Sequence, residues 1–220
     1  MKRIVLAAFA LFAGLAGAAA AQDLPYGESL VFAAFRNGQP IGSHRLAFDR
    51  QGDRLVVTTS IDLAVKMLGL TAYRYSHRSR ETWNGNDLQS VESSTDDDGK
   101  RYRLSARREG GRLLVERQAP DAAGGARAFL AADILPSTHW NIRQTSQPSL
   151  LNSQKGTVDR IGVQTAGREV VRTAAGSIEA TRYRYQGDVR MDQWFDARGR
   201  WVKLAFTASD GSVIEYVLQE

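Results

Sequence analysis

The residues of this chain whose types could do chemistry are three histidines (His44, His77, His139), the run Asp96, Asp97 and Asp98, and the pair Ser137 and His139. No histidine stands four residues from another, as two metal ligands on one helical face would, and none adjoins a carboxylate pair. A metal site is therefore not expected. Ser94, Asp96, Asp98 and Gly99 fall at the first, third, fifth and sixth positions of an EF-hand-like loop, but Ser105 occupies the twelfth, where a bidentate Glu is needed. A hairpin turn with solvated carboxylates is the better account. Cysteine is absent, which removes thiolate chemistry and disulfides. No G-x-S-x-G elbow is present, and Ser137 and His139 lack an acidic orienting partner nearby. Gly110-Gly111 and Gly124-Gly125 have neither the spacing nor the strand-to-helix setting of a phosphate-binding loop. The chain is read as non-catalytic, with no catalytic residue and no cofactor assigned.

The most distinctive run is Pro136-Ser137-Thr138-His139-Trp140-Asn141, a polar group around a large aromatic at the point where strand-like segments stop. A tryptophan in such a connection either plugs the open end of a sheet or touches a ligand, and the plug is the favoured reading. The candidate ligand-binding residues are His139, Trp140 and Asn141, with Trp83 and Trp194, which lie beside expected hairpin turns and are core or sheet-edge residues in the plainer reading.

Strands must position these groups. Asn37-Gly38, Asp98-Gly99, Asp210-Gly211 and similar pairs recur at short intervals, and they supply the positive φ that tight hairpins need. Between them, Leu55, Val57, Thr59, Ile61, Leu63 and Val65 repeat with period two, while Ser60, Asp62 and Lys66 fall on the other face. Val202, Leu204 and Phe206 alternate in the same way, as do Ile214, Tyr216 and Leu218. The expectation is an all-β domain of ten to twelve strands: a long antiparallel meander forming a strongly curved sheet or incomplete barrel. A helix or helical turn from the 119–143 region would close its mouth, with residues 125–135 the expected helix and 144–156 a polar loop. A two-half plan is also suggested, since Tyr73-Arg74-Tyr75, Glu81-Thr82-Trp83 and Asp98-Gly99 are echoed by Tyr183-Arg184-Tyr185, Asp192-Gln193-Trp194 and Asp210-Gly211 at nearly equal spacings.

The first residues set the compartment. Lys2 and Arg3, an apolar run from Ile4 to about Leu15, and Ala19-Ala20-Ala21 follow the order of a secretion signal, so residues 1–21 are expected to be removed and 22–220 to form one soluble domain in the periplasm or medium. The apolar run is shorter than the roughly 20 residues that span a bilayer, and no later segment is apolar enough. The formal charge is +5, or +3 without Lys2 and Arg3. That balance suits an anionic envelope and falls short of a nucleic-acid footprint.

Leu24-Pro25-Tyr26-Gly27, Pro40-Ile41-Gly42-Ser43-His44, Val65 to Gly69, Glu81-Thr82-Trp83, Asp97 to Lys100, His139-Trp140-Asn141 and Asp210 to Tyr216 together carry a resemblance to a family of bacterial exported proteins classed as a domain of unknown function. The resemblance spans most of the mature chain and implies an exported single domain, without implying any activity. The leading functional expectation is a non-catalytic envelope protein holding a lipid or other apolar ligand in the concave face of the sheet. The alternatives are a hydrolase of an envelope polymer, built from His139, Asn141 and Asp96 to Asp98, and a scaffold that pairs through a bare strand edge.

Overall fold

The computed structural model describes residues 25–67, 69–120 and 122–219. The expected leader lies outside the described residues. Eight strands run in succession: β1 (Ser29–Arg36), β2 (Gln39–Gln51), β3 (Arg54–Met67), β4 (Leu70–Asn84), β5 (Asp87–Asp97), β6 (Lys100–Glu109), β7 (Arg112–Ala119) and β8 (Ala122–Ala131). An inserted segment follows, with β9 (Leu135–Pro136), a 3-10 helix (Ile142–Ser146) and β10 (Ser149–Leu151). Five strands complete the chain: β11 (Val158–Thr173), β12 (Gly176–Gly187), β13 (Met191–Asp196), β14 (Trp201–Thr207) and β15 (Val213–Leu218).

All belong to one sheet, ordered β8 through β1, then β15 back to β9. Neighbours in that order pair antiparallel, β1 with β15 included, apart from the parallel contact of β9 with β10. The expected meander is therefore present and carries fifteen strands among the described residues. The hairpin turns explain why: Asn37 and Gly38 have φ of 48° and 77°, and Asp98 and Gly99 of 51° and 87°. Two successive positive φ angles give the turn whose twist matches that of the flanking strands.

Alternation sets the inner face. Leu55, Val57, Thr59 and Ile61 are buried along β3 while Thr58 and Asp62 are exposed. The buried apolar residues of both halves merge into one cluster, which a single sheet can form only by curling around it. The order β8 to β9 leaves the curl open.

Three expectations are corrected. Residues 125–135 do not form a helix; the Ala-rich run extends as β8, paired from Arg112 with Ala131 to Arg117 with Ala126. Gly124 and Gly125 have φ of 86° and 80°, which a helix excludes, and pairing with β7 overrides the helical propensity of the alanines. The helical turn comes later, at Ile142–Ser146, and residues 144–156 are a folded part of the core, with Gln144, Leu150 and Leu151 buried. The two-half echo does not mark equivalent positions either. Tyr75 and Trp83 share β4, whereas Tyr185 and Trp194 lie on β12 and β13, with a turn at Gly187 between them.

Candidate functional site

Strand register assembles the interior. Phe32, His44, Ile61, His77 and Thr95 are successive partners from β1 to β5, so two histidines thirty-three residues apart enter one transverse row. The next row runs from Tyr75 through Leu63, Gly42, Ala34, Tyr216 and Leu204 to Gln193. Gly42 is needed for its position, since a Cβ there would lie 1.9 Å from the Asp62 carbonyl oxygen.

The inserted segment fills one side of this concavity. Trp140 is buried and meets Trp83 and Phe48 edge to face at 5.6 and 5.7 Å between ring centroids. Glu81 sits between the two tryptophans: its Oε2 accepts from Trp83 Nε1 at 2.8 Å and Trp140 Nε1 at 3.3 Å. Burial pushes the Glu81 carboxyl up to about 7, against the partial counter-effect of hydrogen bonds from Thr138, Trp83 and Trp140. Tyr26 stacks on Phe48 and donates to the Trp140 carbonyl, and Thr95 donates to the Gln154 carbonyl at 3.1 Å. Trp140 is thus the plug that its setting in the sequence suggested.

His139 points elsewhere. The Trp140 N–H donates to the Thr138 carbonyl at 3.0 Å across His139, whose φ is 72°. This is a γ-turn of the strained, positive-φ kind. It sends Trp140 into the plug and lets the His139 ring line a cavity of about 340 Å³ between the inserted segment and the sheet. Ile61, Leu63, Leu150, Met191, Leu204 and Phe206 supply the apolar wall. Tyr75 and Tyr216 stand among them, and Asp97, Lys155, Asp159 and Arg190 also border the space. Lys155 and Arg190 are exposed, which places them at the rim.

The polar chemistry inside is neutral. His44 is buried with both ring nitrogens unpartnered, caged by Trp201 at 5.2 Å, Tyr216 at 5.5 Å and His139 at 6.2 Å between ring centroids. Burial holds His44 well below the ordinary histidine value, with His139 and His77 adding to the effect, and lowers His77 and His139 to about 4. Burial also raises the Tyr75 and Tyr216 phenols. Tautomers follow from the partners. Thr95 gives its hydroxyl proton to the Gln154 carbonyl, so it accepts from His77 Nδ1 at 2.9 Å. Gln193 Nε2 faces Met191 Sδ, which can only accept, so the same amide donates to His139 Nδ1 at 3.2 Å and the His139 proton sits on Nε2.

Of the residues singled out in the sequence, the fold brings His139 to the cavity and joins Trp83 to Trp140 in the plug beside it. Asn141 is buried and caps the 3-10 helix, accepting from the Arg143 N–H at 3.1 Å. Trp194 faces the outer side, where its indole donates to Glu169 and its ring lies under Arg182 and Lys203. Asp97 accepts from Tyr73 at 2.6 Å, and Asp96 closes the turn by accepting from the Gly99 N–H at 2.8 Å. Among the described residues no His, Asp and Glu cluster is placed to hold a metal ion. Tyr75, Tyr216 and Gln193 were not singled out, and His44 was named only as one of three histidines without metal-ligand spacing. Alternation marks Tyr75 and Tyr216 as inward, but only the register across the sheet brings them to one cavity.

Among the described residues no helix is long and apolar enough to cross a membrane. No curated protein matches the chain. Residues 32–219 match the model of a domain of unknown function, DUF6134, and with most of its length inside that match the chain belongs to this family.

Proposed function

We propose that this protein is an exported, non-catalytic carrier that holds one small apolar or amphipathic molecule, of the size class of a short acyl chain, in the cavity beside the plug. The cavity carries the reading. Its volume of about 340 Å³ falls within the roughly 300 to 1,000 Å³ of small-ligand sites. Its walls are mainly apolar, its histidine and tyrosines are neutral, and of its charged neighbours Lys155 and Arg190 stand exposed at the rim while Asp97 and Asp159 are half-buried, an arrangement that suits a ligand with a long apolar part. Export rests on Lys2, Arg3, the apolar run behind them and Ala19 to Ala21.

The polar groups that a hydrolase would use are engaged in holding the fold: Asn141 caps a helix, Asp97 binds Tyr73 and Asp96 closes a turn. A scaffold working through a bare edge would use β8, yet Gly124 and Gly125 turn out of the extended conformation there. Neither alternative has an observation in its favour comparable to the cavity.

Native mass spectrometry of protein isolated from the envelope of its producing cell tests the proposal. The expected spectrum shows a chain beginning at Gln22 with one small bound molecule, which is lost on solvent extraction and replaced when an alcohol of about ten carbons is added. A chain that carries nothing and takes up nothing overturns the carrier reading, and a chain beginning at Met1 overturns export.

A further inference from the structure

Three hydrogen-bond donors face the cavity with no protein acceptor. The Tyr75 hydroxyl is buried and unpartnered, and among the described residues neither the Tyr216 hydroxyl nor His139 Nε2 has a hydrogen-bond partner. Tyr75 and Tyr216 line the same cavity, and the charge of the Tyr216 phenol is felt at Tyr75. A buried polar group without a partner is costly, and the Tyr75 hydroxyl is one, while the Tyr216 hydroxyl and His139 Nε2 add two further donors along the same cavity. His139 adds the strain of its positive φ, and Gln193 fixes its tautomer so that the free nitrogen is the one carrying the proton. All three groups offer protons, and all are neutral. Among the described residues Lys155 and Arg190 are the only cations bordering the cavity, both exposed at its rim, and the other charged groups on it are the carboxylates Asp97 and Asp159.

Resting on the carrier reading, we infer that the cavity takes an uncharged apolar molecule bearing an oxygen, an alcohol or ketone, and holds that oxygen inward on Tyr75, Tyr216 and His139. An alcohol or ketone oxygen accepts from two or three donors at once and asks for no counter-ion. A carboxylate would accept from the same donors, but its charge would enter an apolar wall with no cation within it, and the desolvation would not be returned. Apolar tails then run along Ile61, Leu63 and Leu204 toward the rim. The inward oxygen distinguishes this site from a simple hydrophobic slot, which would bind an alkane as well as its alcohol.

Calorimetric titration of decane, decanol and decanoate into the extracted protein at neutral pH tests this, with Tyr75→Phe and Tyr216→Phe as variants that keep the ring and remove only the hydroxyl. Decanol is expected to bind at least about tenfold more tightly than decanoate. Each Phe variant should weaken decanol by about threefold to tenfold and leave decane unchanged. Tyr75→Phe should also melt no lower than the wild type, which separates a lost ligand contact from a damaged fold. If decanoate binds as tightly as decanol, or if both Phe variants bind decanol like the wild type, the inward-oxygen assignment is wrong while the carrier reading stands. If none of the three ligands binds, the carrier reading falls and takes this inference with it.

Discussion

At the residue scale, Glu81 and the three histidines share one interior but answer pH in opposite directions. The folded protein keeps a proton on Glu81 to about pH 7, whereas an ordinary carboxyl releases it near 4.5. Between those values the folded state binds more protons than the unfolded chain, so stability is full at the acid end and is lost as pH rises. The histidines do the reverse: burial keeps His44, His77 and His139 neutral where an unfolded chain takes up protons below about 6.5, so acid destabilises. Comparing the wild type with Glu81→Gln isolates the carboxyl, because the histidines are common to both. The stability of the wild type relative to the variant, from urea unfolding at a series of pH values, is expected to fall by an amount on the order of 3 kcal/mol between pH 4.5 and 7. A difference that does not change with pH would place Glu81 outside the buried, proton-holding role.

At the element scale, the inserted segment decides the shape of the interior, and Trp140 holds it there against Trp83, Phe48 and Tyr26. Trp140→Ala leaves a cavity between β4 and the segment and strands a Glu81 hydrogen bond, and is expected to lower stability by about 3 to 5 kcal/mol. Urea unfolding measures it, and a loss under 1 kcal/mol would mean that the plug is not anchored by this residue. The plug was legible in the sequence because a large aromatic sits where alternation stops. β8 was not, because alanine favours a helix when read locally and the strand is chosen by β7, whose free edge needs a partner. The 3-10 helix was displaced for a related reason: Asn141 supplies the cap, and the cap fixes where the turn begins.

At the scale of the whole molecule, one sheet of fifteen strands curls until both halves share a core, and the segment between the halves fills part of the concavity. The β-class, the meander and the inward faces of β3, β14 and β15 could be read from period two alone. The cavity could not. His44 comes against His139, and Tyr75 and Tyr216 reach one cavity, through pairings that cross several strands, and a register shift of one residue would turn His44, Tyr75 and Tyr216 outward. The face that Trp194 takes is set in the same way: it is buried, but against Glu169, Arg182 and Lys203 and away from the cavity. A carrier of this build must seat its ligand in that cavity. Val189 borders it from a loop and is only half-buried, so Val189→Trp can extend into the space without moving a strand. Calorimetric titration of decanol into the wild type and Val189→Trp tests the claim most directly. One molecule bound per wild-type chain and none by a variant with an unchanged circular dichroism spectrum is the predicted result, and equal binding by both would contradict it.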